Sequence, residues 1–163
     1  MKFVLSLLAI AFLSTGCLKK DTGCSYSVSN RPVSEAEIKM VTDYLDSAGN
    51  SSAIRHNSGL YYEIITPGTG TTPTLCSQIA IAYKGQLTNG SIFDQNTEAV
   101  FVLGTLIEGW KIGLPLLKPG GKIMLYIPPS LGYGPQDVRD NSGNVVIPGN
   151  SVLVFEVTLI NSN

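Results

Sequence analysis

The segment Leu106–Gly134, L-I-E-G-W-K-I-G-L-P-L-L-K-P-G-G-K-I-M-L-Y-I-P-P-S-L-G-Y-G, constrains the fold more than any other part of the chain. Its apolar spacing predicts a short helix near Glu108–Leu116, a tight Pro-Gly-Gly turn, and a strand over Lys122–Ile127. Gly109 stands directly before the only tryptophan, Trp110, and lets that helix end approach its neighbours closely. A lone tryptophan in a small domain is more often core than site, so Trp110 alone would not define a function.

The rest of the chain supplies a sheet for this helix. L-Y-Y-E-I-I-T stops at Pro67-Gly68, and I-A-I-A-Y-K-G-Q-L leads into Asn89-Gly90. Asn-Gly predicts a type I′ hairpin that returns the chain over Ser91–Asp94. Val100–Leu103 and Val152–Ile160 are further strands. Ahead of them, Ser34 and Glu37 have capping-box spacing, Ile38, Val41 and Leu45 share one face, and Gly49 ends the run, which predicts a helix over Ser34–Ala48.

Composition excludes several functions. A formal charge of −1 over 163 residues, with no basic block after residue 20, argues against a nucleic-acid partner. His56 is the one histidine, and there is no Gly-x-Ser-x-Gly elbow or ligand cluster, which leaves triad hydrolysis and a metal centre without their residues. Gly120-Gly121-Lys122 lacks the Ser or Thr and the first glycine of a phosphate loop. What remains is a concave apolar site.

Joined to A-Y-K-G-Q-L and I-F-D upstream and to V-I-P-G-N-S-V-L-V-F-E-V downstream, the segment resembles the FKBP-type peptidyl-prolyl cis/trans isomerases over roughly Gly59 to Ile160. The resemblance implies an α+β fold, a bent antiparallel β-sheet wrapped around one short α-helix, here with an N-terminal helix extension. It implies prolyl isomerisation without cofactor or metal, acting on proline-containing exported polypeptides, and macrolide immunosuppressants as further ligands. Carried over residue by residue, Tyr83, Asp94 and Tyr133 become the catalytic set. Phe93, Leu106, Ile107, Trp110, Ile147 and Phe155 become the substrate-binding positions, with Trp110 as the floor. After Asp94, however, Q-N-T-E-A-V-F is several residues shorter than the family's bulge and lacks its basic residue and proline, while Ala99 replaces a frequent aromatic. That departure thins one wall and keeps a second reading open, a polypeptide-binding or chaperone module with weak or lost isomerase activity. A polar insertion over Gln136–Asn144 lengthens the other rim.

The start of the chain reads as an address. Lys2 and the apolar run Phe3–Leu13 are too short to cross a bilayer and match a signal-peptide core. The run ends in L-S-T-G-C, so residues 1–16 read as signal peptide and Cys17 as a lipidated first residue, ordinary cleavage with a spare thiol being the alternative. Residues 17–57 then form a lipidated tether plus a short helix, and residues 58–163 the isomerase domain. This organisation predicts an exported protein, anchored by lipid at Cys17 in the bacterial cell envelope, at the outer membrane on its periplasmic or surface face. Removing Cys17 leaves Cys24 and Cys76, an even number in an oxidising setting. A disulfide is the simplest pairing, and two free thiols are the alternative.

Overall fold

The computed structural model describes residues 23–163. The expected signal peptide and the lipidation site at Cys17 lie outside the described residues. Two helices and eight strands follow in the order α1 (Glu35–Ser47), β1 (Ile54–Arg55), β2 (Tyr61–Thr66), β3 (Gln78–Leu87), β4 (Ile92–Val102), α2 (Glu108–Gly113), β5 (Lys122–Ile127), β6 (Val138–Arg139), β7 (Val145–Ile147) and β8 (Leu153–Ser162). Six of the strands form one antiparallel sheet in the order β1-β2-β5-β8-β3-β4. The sheet therefore begins at Ile54, ahead of the boundary drawn from sequence at residue 58.

Strand alternation divides the sheet into two apolar faces. The inner face, with Ile81, Ile123, Leu125, Phe155 and Val157, closes on Trp110, Ile112 and Leu114 in and after α2. The outer face, with Tyr126 and Val154, receives Val41 and Leu45 of α1. The amphipathic stripe of α1 is thus buried against the sheet. Its start carries a complete capping box, with Ser34 accepting from the Glu37 amide and Glu37 accepting from the Ser34 amide. Its end is closed by Gly49 at φ +65, whose amide reaches the Asp46 carbonyl while the Asn50 amide reaches that of Leu45, a Schellman arrangement.

Three elements differ from the sequence-based expectation. The helix expected to run to Leu116 stops at Gly113 and tightens into a 3-10 turn over Leu114–Leu116, because Pro115 has no amide to continue the ladder. The turn at Asn89-Gly90 is not type I′: Gly90 has φ +86, but Asn89 does not have positive φ. Instead the Gly90 amide bonds the Leu87 carbonyl and the Leu87 amide bonds that of Ser91, giving a three-residue loop with Gly90 in the left-handed position. Finally, the strands expected over Ser91–Asp94 and Val100–Leu103 merge into one, β4, which runs Ile92–Val102 and pairs with β3 along its length, Leu103 opening a 3-10 turn instead. Along this pairing β4 carries extra residues, taken up as two local register shifts, between Ile81 and Tyr83 and between Gly85 and Gln86.

The polar insertion folds as the β6–β7 hairpin, its turn organised by Asp140, which accepts from the amides of Ser142 and Asn144. Ahead of α1, a disulfide joins Cys24 to Cys76 and fastens residues 23–33 beside the start of β3.

Candidate active site

Three strands, α2 with its approach, and the loop after β5 converge at one end of the inner face around a cavity of about 200 Å³. Tyr83 comes from β3, Asp94 and Phe101 from β4, Phe155 from β8, Leu106 and Ile107 from the approach to α2, Trp110 from α2, and Tyr133 from the loop after β5. The aromatic rings meet edge to face. Trp110 lies 5.0 Å from Phe155 at 84° and 5.3 Å from Tyr83 at 77°, and Phe93 lies 5.4 Å from Phe155 at 86°. Such contacts hold each ring against its neighbours.

Local backbone geometry explains the convergence. At the register shift after Gly85, Asp94 opposes Gly85 and Ile92 opposes Gln86, which leaves Phe93 as the extra residue. A bulge of this kind breaks strict alternation, so two successive residues can serve the same face. Phe93 thereby packs on Phe155 while Asp94 reaches the cavity. Gly85 makes room for this: a Cβ there would stand 2.5 Å from Phe155 Cε1 and 2.7 Å from Phe93 Cζ. At the floor, a Cβ on Gly109 would meet Ile127 at 2.7 Å, so the helix end carrying Trp110 rests directly on β5.

The polar groups sit at the rim. Tyr83 Oη donates to Asp94 Oδ2 at 2.7 Å. Burial, that hydrogen bond and the carboxylate charge push the Tyr83 phenol up to about 12. Burial and the Asp94 charge also raise the Tyr133 phenol. Both hydroxyls therefore stay protonated near neutral pH. Tyr133 is 45% exposed and its hydroxyl has no protein partner among the described residues, which leaves it as an open donor above the cavity. Below, Trp110 is 4% exposed and its Nε1 is buried without a hydrogen-bond partner.

The structure thus brings together Tyr83, Asp94, Leu106, Ile107, Trp110, Tyr133 and Phe155. It does not bring two other expected wall residues to the cavity. Phe93 does not line it and packs edge to face on Phe155 instead. Ile147 is only 4% exposed, a core residue paired with Val138 in the β6–β7 hairpin. The wall that sequence reasoning missed is Phe101. The all-apolar run A-V-F-V-L gives no alternation that would single it out; in the structure Val100 is 56% exposed while its neighbour Phe101 packs against the core. Among the described residues no group of three or more His, Cys, Asp or Glu is placed to hold a metal.

A strap and a helix brace this site from outside. The Ser29 amide donates to Glu108 Oε2 at 2.9 Å, and Glu108 Oε1 accepts from Lys111 at 2.8 Å, which ties the first turn of α2 to the disulfide-anchored tail. Burial opposes the charge on Glu108, but Lys111 and Ser29 outweigh it and hold the carboxyl below its ordinary range. On the other side, Ser130 just before Tyr133 bonds Glu37 of α1.

An apolar cage of this shape, with the Tyr133 phenol as an open donor at its mouth, can receive an apolar ring and bond the carbonyl beside it. Comparison with known proteins agrees: residues 70–160 match the family model described as FKBP-type peptidyl-prolyl cis-trans isomerase, and the chain belongs to that family. It is 37% identical over 107 residues to the peptidyl-prolyl cis-trans isomerase Mip of Coxiella burnetii, covering 63% of this chain and 44% of that protein. It is 34% identical over 145 residues to the FKBP-type peptidyl-prolyl cis-trans isomerase FkpA of Escherichia coli, covering 80% of this chain and 52% of the relative. The chain therefore spans about half the length of these relatives. The crystal structure of FkpA superposes with a TM-score of 0.67 at 34% identity, covering 79% of this chain and 59% of that one. A peptidyl-prolyl cis-trans isomerase structure from Pseudomonas syringae pv. tomato superposes with a TM-score of 0.67 at 28% identity, covering 83% and 99%.

Proposed function

We propose that this chain accelerates cis/trans isomerisation of prolyl bonds in exported polypeptides, held at the bacterial envelope by lipid on Cys17. The observation that carries the catalytic part is the Tyr83–Asp94 bond of 2.7 Å at the mouth of a cage floored by Trp110 and Phe155. Rotation about a prolyl amide loses conjugation and faces a barrier of about 18–20 kcal/mol. At the top of the barrier the amide is twisted and less dipolar than in either planar state. An apolar aromatic cage that receives the proline ring therefore disfavours the ground state more than the transition state. The Tyr133 hydroxyl donates to the substrate carbonyl and fixes one side of the rotating bond. Asp94 holds the Tyr83 phenol at the rim and places negative charge beside the amide. No bond to the protein forms, and neither phenol has to ionise.

The relatives' names support isomerisation, and the Cys24–Cys76 disulfide supports an oxidising, extracytoplasmic setting. The leader Lys2–Leu13 and the Gly16-Cys17 junction support the anchor. The open apolar cavity also suits a macrolide, whose ring system would cover the same aromatic floor.

Refolding of an exported protein limited by a prolyl bond tests the catalytic part, because the uncatalysed phase lasts tens to hundreds of seconds. The slow phase should shorten in proportion to added protein; an unchanged phase would leave a peptide-binding module. Detergent phase partition tests the anchor: material expressed in a bacterium should enter the detergent phase and its Cys17→Ala variant the aqueous phase, whereas identical partition would exclude the lipid.

A further inference from the structure

The N-terminal helix does more than cover the outer face of the sheet. In an ordinary capping box the N3 carboxylate turns back only to the N-cap residue. Glu37 does this with Oε2, which accepts from the Ser34 amide and hydroxyl, both at 3.0 Å. Its other oxygen, Oε1, accepts from the amide and the hydroxyl of Ser130, both at 2.7 Å, across 93 residues of sequence. Four donors thus converge on one half-buried carboxylate. Two are short, as expected where the acceptor is charged.

Ser130 is the middle residue of the 3-10 turn Pro129–Leu131, shortly before Tyr133. The Pro129 carbonyl accepts from the amides of Gly132 and Gly134, at 3.0 and 2.9 Å, so Tyr133 is bracketed by two bonds to one oxygen. Beyond it, the Gly134 carbonyl accepts from the Asn150 amide at 2.8 Å. The turn is small, so a displacement of Ser130 moves Pro129 and with it the Tyr133 backbone. The other end of the tether is fixed, because Val41 and Leu45 seat α1 on the sheet with 0% and 5% exposure.

We propose that Glu37 is a positioning residue of the isomerase site, fixing through Ser130 the turn that sets Tyr133 above the cavity. The proposal rests on the reading of Tyr133 as a donor to the substrate carbonyl. It assigns a role in the reaction to a helix that lies outside the catalytic cage, and it makes the specific contact, not the bulk of the helix, the part that matters.

A double-mutant cycle on the purified full chain separates positioning from mere support, since residues acting through one another do not add. Glu37→Ala should lower kcat/KM by about three- to tenfold, the scale of one misplaced hydrogen bond. In a Tyr133→Phe background the same change should cost less than about twofold. Glu37→Gln, which keeps an oxygen acceptor facing Ser130, should restore most of the activity. Ser130→Ala, which leaves α1 and its cap untouched, should reproduce part of the loss. Equal losses in both backgrounds, or no loss in either, would overturn the proposal. Amide hydrogen exchange gives a readout independent of activity: protection at Gly132 and Gly134 should fall in Glu37→Ala while that of β8 is retained. Unchanged protection there would also overturn it. A wild type that isomerised nothing would defeat the reading of the cavity, and the exchange data would still decide the tether.

Discussion

Tyr83 and Asp94 show how a residue can be chosen by chemistry and placed by backbone. The pair meets at 2.7 Å only because the bulge at Phe93 turns Asp94 inward. Both residues, together with Trp110 and Tyr133, were legible in the sequence because their motifs are local. Phe93 and Ile147 were assigned to the wall by position in those motifs, and packing set one edge to face on Phe155 and the other in the core. Asp94→Ala or Tyr133→Ala should each reduce isomerisation by about three- to tenfold, one hydrogen bond's worth, without changing the melting temperature by more than a few degrees. Wild-type rates in both variants would remove these residues from the site. Glu37 carries a pH signature. Burial opposes its charge, but hydrogen bonds from Ser130 and Ser34 prevail and lower its pKa from the ordinary 4.5. A lowered folded pKa contributes stability that is present above the ordinary value and is lost as pH falls through the folded one. The melting-temperature difference between wild type and Glu37→Gln should therefore be constant above the ordinary 4.5 and shrink as pH falls below it. A difference that grows on acidification would contradict the assignment.

The elements most faithfully anticipated were those with end signals of their own. Helix α1 carries its capping box, its stripe and its Gly49 stop within a short span, and it forms as those signals dictate. Strand β5 and the turn before it are similarly self-contained. What the sequence did not reveal were decisions made between elements. Whether Asn89-Gly90 makes a two- or three-residue turn depends on the register that β3 and β4 adopt around Phe93 and Asp94, and the merger of two expected strands into β4 depends on its pairing with β3 along its length. Gly85 is where this pairing is most exposed to change. Gly85→Ala would press a methyl into the space where Phe93 and Phe155 meet, and overpacking of this kind costs about 1–3 kcal/mol. Urea unfolding should show a lower midpoint, with reduced isomerisation from a displaced Phe155. An unshifted midpoint would mean that the two rings are not held as described.

At the scale of the whole molecule, two long-range ties enclose the cage, and neither the Glu37–Ser130 contact nor the Ser29–Glu108 contact could be read from linear spacing, since their partners lie 93 and 79 residues apart. The disulfide is different: cysteine parity suggested it, and the structure joins Cys24 to Cys76 across a separation of 52. Closing a loop of that length stabilises by about 4 kcal/mol on the chain-entropy model. Cys76→Ser should lose that much under oxidising conditions and match the wild type in reductant; equal stability in both conditions would show the bond to be unformed in solution. All these ties serve a cavity whose floor is Trp110, and that floor is the place to test the central claim. Cis/trans exchange of short X-Pro peptides, followed by NMR in the presence of wild type and of folded Trp110→Ala, measures it directly. Acceleration by the wild type that falls at least about tenfold in the variant is the predicted result. Well-folded wild type that leaves the exchange rate unchanged, or a variant as fast as the wild type, would contradict catalysis by this cage.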